Sequence, residues 1–142
     1  MALLKPYREA RTVRLADTDA ARVVFFTRPL EWCHATYEAW LDSVGLGLGE
    51  NLPKDELLLP IVNAQVTHEQ RLALGDRLEI ELRTERIGNT SYTLAYHISR
   101  RSELCVRATT THVCLALDTG RPQPFPQALR TALENLEVAE AR

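Results

Sequence analysis

The sequence predicts an α+β fold in which an antiparallel sheet of about five strands wraps around one long helix. Three observations lead to this class. Apolar residues recur at helical spacing around residue 30, they recur at every second position from Leu59 to Leu117, and turn residues divide that second stretch. Because the helix and the strands each carry an apolar face, they are expected to bury those faces against each other.

The helix is marked by apolar residues at intervals of three and four. These residues are Leu30, Cys33, Tyr37, Trp40, Leu41 and Val44. Pro29 stands in the first turn, where its missing N–H costs little, and Gly45 ends the helix and opens a glycine-rich loop that runs to Gly49. Trp32, Ala35 and Ala39 extend the apolar surface almost all round, so we expect a helix enclosed by the sheet.

Alternating residues predict four strands between Leu59 and Leu117. The turn signals are Gly75-Asp76, Gly88-Asn89, Arg101 to Glu103 and Asp118 to Gly120. The fourth strand, Leu104 to Leu117, changes phase near Thr109 to Thr111, which predicts a bulge or burial on both faces.

A fifth strand is expected around Glu9 to Ala16, before the long helix. A short helix from Gln127 to Leu136 is expected after the proline-rich turn that includes Pro122, Pro124 and Pro126. At 142 residues the whole chain, 1–142, is expected to form one domain with a sizeable core.

Composition excludes several classes of protein. The chain has 17 basic and 19 acidic residues, a formal net charge of -2 and no basic run longer than Arg100-Arg101, so nucleic-acid binding is not expected. Its three cysteines lack the spacing of a metal site or a disulfide framework, which fits a reducing compartment. No apolar stretch approaches 18 residues. We therefore expect a soluble, cytoplasmic protein with no membrane insertion.

Two carboxylates, Asp17 and Asp19, stand shortly before the long helix. A carboxylate can act as nucleophile or general base, and the free N–H groups of a first helical turn can stabilise an oxyanion. The pair therefore indicates a site that splits esters or thioesters. Two alternatives remain open: a turn or N-cap pair, and a metal site, for which few further ligands stand nearby. The apolar residues from Ala20 to Pro29 favour a pocket or an interface.

Other polar residues offer less specific signals. Cys33 and His34 project about 100° apart on the helix, so they cannot form a nucleophile and base pair, and packing roles are expected. His34, Tyr37 and Glu38 share a polar edge of the helix and are candidates for substrate contact. The histidines His68, His97 and His112 lie on separate strands and are expected to be structural. The G-x-S-x-G motif of a serine hydrolase is absent from the sequence.

With these segments in this order, the chain resembles the hotdog-fold thioesterases of the 4-hydroxybenzoyl-CoA thioesterase family over nearly its whole length. Val13 to Ala21 followed by Val23 to Phe26 looks like the signature loop of that family, and Leu74 to Ile80 looks like its Gly-Asp hairpin. Within the family, three segments most resemble the 1,4-dihydroxy-2-naphthoyl-CoA hydrolases of phylloquinone biosynthesis. These segments are Cys33 to Leu41, Leu59 to Val62 and Thr111 to Cys114.

The resemblance implies a homo-oligomer, either a dimer with its sheets joined edge to edge or a tetramer, with active sites at the subunit interface. It implies that Asp19 is catalytic and that the backbone N–H of Phe26 polarises the thioester carbonyl. Two positions depart from the family pattern. Arg22 stands where glycine is common, which removes easy access to positive φ, and Arg71 stands where proline is common. Arg22 also brings a bulky side chain three residues from Asp19, where it could narrow the acyl pocket.

We therefore expect hydrolysis of an aromatic acyl-CoA, with 1,4-dihydroxy-2-naphthoyl-CoA first and 4-hydroxybenzoyl-CoA or a short aliphatic acyl-CoA behind it. Phe25, Phe26 and Tyr37 are expected to line a flat apolar pocket. Four arginines are available for the CoA phosphates: Arg86, Arg100, Arg101 and Arg107. No metal or redox cofactor is expected, because coenzyme A is part of the substrate. The alternatives are a non-catalytic acyl-CoA binding module and a dehydratase in which His34 would supply the histidine.

Overall fold

The computed structural model describes residues 3–47 and 57–139. Its strands are β1 (Tyr7–Thr12), β2 (Leu57–Leu58), β3 (Ile61–His68), β4 (Arg77–Ile87), β5 (Ser91–Arg100), β6 (Glu103–Val113) and β7 (Leu115–Ala116). Its α-helices are α1 (Arg28–Ser43) and α2 (Gln127–Glu134), and a short 3-10 helix spans Leu15–Asp17. Among the described residues, no helix is long and apolar enough to cross a membrane.

Five strands form one antiparallel sheet in the order β1-β4-β5-β6-β3. Helix α1 lies against this sheet and contacts β1, β4 and β6. The prediction of about five strands and one long helix is therefore confirmed. The separate pair of β2 and β7 was not predicted, because strands of two residues are too short to show a period.

Helix α1 ends as the glycine predicts. Gly45 has a φ of +78°, the Leu46 N–H donates to the Leu41 carbonyl at 2.8 Å, and the Gly45 N–H donates to the Asp42 carbonyl at 3.2 Å. These two bonds form a Schellman motif, which satisfies carbonyl groups that the end of a helix leaves unpaired. The end of the predicted loop, at Gly49, lies outside the described residues.

The apolar face of α1 is narrower than predicted. Trp32 and Trp40 are buried, but Ala35 is exposed, Leu30 is only partly buried and Val44 remains 43% exposed. Within one copy of the chain, the sheet therefore covers one side of the helix and leaves the other side open.

The core lies between α1 and the alternate residues of β4 and β5. The inward residues, each at most 4% exposed, are Leu78, Ile80, Leu82, Tyr92, Leu94, Tyr96 and Ile98. Burying a large apolar side chain stabilises a fold by about 1.5–3 kcal/mol. These two central strands are thus the most firmly held part of the sheet.

Strand β6 corrects the predicted phase change. Residues Ala108, Thr110 and His112 alternate regularly on the buried side, so β6 is not buried on both faces at Thr109 to Thr111. A bulge does occur beside Thr111, but on the partner strand: β3 has an extra residue, Val62, between the pairs Ile61↔His112 and Asn63↔Thr111. A second register shift lies at Cys105, between the pairs Ile98↔Val106 and Ser99↔Leu104. In the sequence, the polar residues Thr110 and His112 look like a change in the alternation of apolar and polar residues. They are nevertheless buried, because their side chains bond to one another inside the core.

The first strand also differs from its prediction of Glu9 to Ala16. It ends at Thr12, and the chain then turns into the 3-10 helix, where the Asp17 N–H donates to the Arg14 carbonyl at 2.9 Å. At the other end of the chain, α2 stops at Glu134, two residues before the predicted limit at Leu136.

A polar cluster ties α1 to β5 inside the core. The hydroxyl oxygens of Tyr37 and Tyr92 lie 2.6 Å apart, and burial raises the pKa of Tyr37 to about 12, so both hydroxyls stay protonated. Beside them, the ring of His112 stacks on Tyr92 with 4.9 Å between centroids, and its Nε2 lies 2.9 Å from the Thr110 hydroxyl. Burial lowers the pKa of His112 to about 4, which keeps the ring neutral at pH 7.

We expect Tyr37→Phe to lower the free energy of unfolding by about 1–3 kcal/mol, because it leaves the buried Tyr92 hydroxyl without its partner. Tyr92→Phe has the converse effect. The double variant, in which neither hydroxyl is stranded, should cost less than the sum of the two single variants. Urea unfolding of all four proteins measures the coupling, and strictly additive losses would contradict the cluster as described.

Candidate active site

Residues 17–25 form a tight hairpin ahead of α1. The Phe25 N–H donates to the Asp17 carbonyl at 2.8 Å, and the Asp19 N–H donates to the Val23 carbonyl at 3.0 Å. The Arg22 N–H closes the turn on the Asp19 carbonyl at 2.9 Å, and Arg22 has a φ of +64°. A turn followed by one left-handed residue is a common hairpin connection that usually places glycine at this position. Arg22 therefore adopts the backbone conformation that glycine would adopt more easily.

Asp17 has a structural role at the base of this hairpin. Its Oδ2 accepts a hydrogen bond from the Arg14 N–H at 2.9 Å, which closes the 3-10 turn, and its Oδ1 lies 4.0 Å from the Arg28 Nε. The alternative of a turn residue is therefore correct for Asp17. Across residues 3–47 and 57–139, no three His, Cys, Asp or Glu side chains are grouped to hold a metal ion, so the metal alternative lacks a ligand set there.

Asp19 lies at the tip of the hairpin and is exposed. Its Oδ1 accepts a hydrogen bond from the Ala21 N–H at 2.8 Å, which fixes the side chain relative to the turn. Its Oδ2 has no hydrogen-bond partner among the described residues. One carboxylate oxygen thus holds the turn while the other remains available to a substrate or a water molecule.

The two phenylalanines close the hairpin just before the first turn of α1. Phe25 is 43% exposed, Phe26 is 67% exposed, and their ring centroids lie 4.9 Å apart. The Phe25 N–H is used within the hairpin, whereas the Phe26 N–H donates to no acceptor in the described part of the chain. An exposed, unpaired amide beside large apolar rings is able to bind a carbonyl oxygen.

A cavity of about 340 Å³ adjoins this amide. Its apolar wall includes Val24, Phe26 and Pro29. The last residue of β3 and the three residues after it contribute the polar groups, which are His68, Glu69, Gln70 and Arg71. The cavity combines an apolar lining with a small number of polar groups, as ligand sites commonly do. The sequence pattern did not reveal it, because its two walls, residues 23–29 and 68–72, are far apart in the chain.

The three candidates on α1 do not share one edge. His34 and Glu38 are exposed as expected, although packing was also considered for His34. Tyr37 is only 2% exposed and its hydroxyl bonds to Tyr92, so its assignment to a polar edge and to the lining of the substrate pocket was wrong. A tyrosine at this spacing belongs to the buried stripe, which the apolar period already indicated. Cys33 packs in the core as expected, and burial raises the pKa of its thiol to about 12.

Three of the four arginines that were available for CoA phosphates have partners in the structure. Arg100 forms ion pairs with Asp76 and Glu103, Arg107 forms one with Glu69, and Arg86 donates to the Ser91 hydroxyl at 3.0 Å. The fourth, Arg101, lies in the β5–β6 turn with a φ of +51°. Sequence pattern alone did not distinguish structural arginines from available ones.

Residues 13–133 match the thioesterase-like superfamily. The chain belongs to this superfamily, which confirms the hotdog fold that the sequence predicted. It is 35% identical to a 1,4-dihydroxy-2-naphthoyl-CoA hydrolase of Synechococcus elongatus over 129 residues, which is 90% of this chain and 95% of that protein. It is 37% identical to the Synechocystis hydrolase of the same name over 129 residues, 89% and 94% of the two chains.

Solved structures agree with these relationships. The crystal structure of a 1,4-dihydroxy-2-naphthoyl-CoA thioesterase from Synechocystis is 36% identical in sequence and superposes with a TM-score of 0.86. The match covers 92% of this chain and 97% of the Synechocystis chain. The similarity therefore extends over the sheet, both helices and the hairpin.

Replacing Arg22 by glycine should stabilise the protein by up to about 1 kcal/mol. A left-handed conformation costs an ordinary residue roughly 1–2 kcal/mol, and part of this gain is offset by the larger freedom of glycine in the unfolded chain. Ala21→Gly is the matched control, because Ala21 does not have a positive φ and gains nothing from glycine. Urea unfolding measures both variants, and equal losses of stability would contradict the strain at Arg22.

Proposed function

We propose that this protein hydrolyses the thioester bond of an aromatic acyl-CoA, with 1,4-dihydroxy-2-naphthoyl-CoA as its preferred substrate. The products are the free aromatic acid and coenzyme A. One observation carries the proposal: the hairpin of residues 17–25 presents the exposed Asp19 carboxylate at its tip, and the unpaired N–H of Phe26, a residue that lines a cavity, follows directly after it. Membership of the thioesterase-like superfamily and the names of the relatives support the same reaction.

Chain geometry limits the separation of the two groups. Phe26 lies three residues beyond Val23, which is at most about 10 Å of strand at about 3.3 Å per residue, and Val23 pairs with Asp19 across about 5 Å, so the two backbones lie within about 15 Å of each other. A carboxylate side chain, an attack distance of about 3–3.5 Å and a hydrogen bond to the carbonyl oxygen together span a length of this order.

In the proposed reaction, Asp19 either attacks the thioester carbonyl carbon, expels the CoA thiolate and forms a mixed anhydride that water then hydrolyses, or it removes a proton from a water molecule that attacks the same carbon and expels the thiolate. The Phe26 N–H donates to the carbonyl oxygen as negative charge develops there, and loss of one such donor costs on the order of 100- to 1000-fold in rate. No metal or redox cofactor takes part. Both roles of the carboxylate are consistent with its free oxygen. In both mechanisms the negative charge develops on the same carbonyl oxygen.

Aromatic acyl groups fit the chemistry around the amide. The rings of Phe25 and Phe26, which are tilted by 57° to each other, offer an exposed apolar surface, and the side chains of His34 and Glu38 on the open face of α1 offer hydrogen bonds to ring hydroxyls. Arg71, at the rim of the cavity, adds a positive charge in place of the proline that is common in the family. We propose that these residues select the acyl group.

Strand β3 suggests how the protein assembles. It pairs only with β6, it lies at an edge of the sheet, and its apolar residues Ile61 and Val62 are 38% and 60% exposed. An open edge with apolar side chains favours pairing with another strand. We propose a homodimer joined along this edge, or a tetramer of such dimers, with the active site completed at the subunit interface. We place the enzyme in the cytoplasm and its product in phylloquinone biosynthesis.

Asp19→Asn should fold normally and lose thioester hydrolysis by at least about 100-fold, because the amide is neither a base nor a nucleophile. Its oxygen can still accept from the Ala21 N–H, so the turn is preserved. Asp17→Asn is the matched control and should keep most of the activity. The rate of free thiol release from 1,4-dihydroxy-2-naphthoyl-CoA measures both, and wild-type turnover by Asp19→Asn would refute the mechanism.

A panel of acyl-CoA substrates tests the substrate class in the same assay. Faster turnover of 4-hydroxybenzoyl-CoA or of short aliphatic thioesters would replace the preferred substrate with a broader one. An altered acyl chain without thiol release would indicate a dehydratase. Binding without any turnover would indicate an acyl-CoA binding module.

Val62→Lys should prevent assembly along β3, because a lysine on an edge strand disfavours pairing with a second strand. Size-exclusion chromatography with light scattering measures the mass, which should fall to that of one chain, and hydrolysis should fall with it. Val138→Lys is the control, because Val138 is 62% exposed and lies beside β4, away from the β3 edge. A monomeric wild-type protein that hydrolyses the thioester would contradict the proposed interface.

A further inference from the structure

We call the hairpin of residues 17–25 the site hairpin. The Gly-Asp hairpin, residues 71–76, contacts both the segment that leads into the site hairpin and its second strand. On one side, the Val13 N–H donates to the Asp76 carbonyl at 2.9 Å and the Gly75 N–H donates to the Val13 carbonyl at 3.0 Å. Val13 stands two residues before the 3-10 helix, which ends at Asp17. This contact therefore fixes the entry to the site hairpin.

On the other side, the Val24 N–H donates to the Leu72 carbonyl at 2.9 Å, and Val23 lies opposite Ala73. Val24 stands two residues before Phe26. The same short hairpin thus holds the strand that leads to the carboxylate and the strand that leads to the amide. A displacement of residues 71–76 would therefore act on the segments that lead to both groups.

The side chain of Asp76 sets the shape of the Gly-Asp hairpin. Its Oδ2 accepts from the Ala73 N–H at 2.8 Å and from the Arg100 Nη1 at 2.7 Å. The same Arg100 Nη1 donates to the Arg71 carbonyl at 3.0 Å. Arg100 belongs to β5, a central strand of the sheet, so its guanidinium clamps the first and last residues of the hairpin to the core.

The charges of this pair persist over the ordinary pH range. Partial burial alone would raise the pKa of Asp76, but the bond from Ala73 and the charges of Arg100 and Arg101 outweigh it and lower that pKa. The Asp76 and Arg100 side chains are 22% and 26% exposed, so solvent screens the pair only in part. A guanidinium also donates from several N–H groups in a fixed plane, which lysine does not match.

We propose that Asp76 and Arg100 are positioning residues for thioester hydrolysis, which hold the hairpin that sets the separation of the Asp19 carboxylate from the Phe26 N–H. This inference rests on the proposed function. It assigns to the Gly-Asp motif a role in the reaction and removes Arg100 from the residues available to the CoA phosphates.

Arg100→Gln tests the proposal, with Glu103→Gln as its matched control. Glu103 bonds to the Arg100 Nη2 at 3.1 Å on the solvent side, and its loss leaves the bonds to Asp76 and Arg71 in place. A displacement of about 1 Å in a site can cost about 100-fold in rate, so kcat of Arg100→Gln should fall by about 10- to 100-fold while KM changes little. Arg100→Lys should recover part of the loss, and Glu103→Gln should match the wild type.

Hydrogen–deuterium exchange of residues 13–27 gives a readout that does not depend on turnover. We expect faster exchange in this segment for Arg100→Gln and Asp76→Asn, with the exchange of β4 and β5 unchanged. Unchanged exchange, or wild-type kcat in a folded Arg100→Gln, would overturn the positioning role while leaving the proposed function intact. An inactive wild type with faster exchange in the variants would instead overturn the proposed function and leave the structural clamp standing.

Discussion

The structure depends on one constraint: the groups that could act on a thioester are carried by a loop, and that loop is held by backbone hydrogen bonds to its neighbours. The Asp17 carbonyl accepts from Phe25, and the Leu72 carbonyl accepts from Val24. Backbone groups that are paired in this way leave few alternative conformations for the loop. The exposed Asp19 oxygen and the Phe26 N–H are two polar groups that these bonds leave free for a ligand.

The polar cluster in the core also helps to hold the site in place, because it fixes helix α1. Tyr37 belongs to α1 and Tyr92 to β5, so their hydroxyl pair fixes how the helix sits on the sheet. Buried hydrogen bonds require defined geometry, whereas purely apolar contacts tolerate sliding. The start of α1, just after Phe26, is therefore held in a defined place relative to the central strands. The neutral His112 ring adds shape to this contact without a buried charge.

Much of the fold was predictable because strong periods identify long elements. The alternation from Leu78 to Leu82 and the helical spacing from Cys33 to Leu41 each correspond to an observed element. The predictions were wrong where polar residues are buried, as at Thr110 and Tyr37. A periodicity analysis assigns polar residues to the surface of the protein. Side-chain bonds between distant segments leave no period in the sequence.

The candidate site was predictable only in part for a similar reason. The resemblance of the signature loop to known thioesterases pointed to Asp19 and Phe26; Asp19 lies at the tip of the hairpin and Phe26 directly follows its last residue. The distinct role of Asp17 follows from its bond to the Arg14 N–H, which no spacing rule foretells. The partners of Arg100 likewise lie 24 and 29 residues away in the chain, at Asp76 and Arg71. Local sequence carries the chemistry of the site, and long-range contacts carry its geometry.

The unpaired edge of β3 affects a newly synthesised chain before it assembles. Between synthesis and any later association, each copy presents a row of unpaired backbone groups flanked by Ile61 and Val62. Such a surface recruits strands from unrelated chains as readily as from identical ones. The yield of folded protein should therefore depend more on expression conditions, such as low temperature and the presence of chaperones, than on the intrinsic stability of the core.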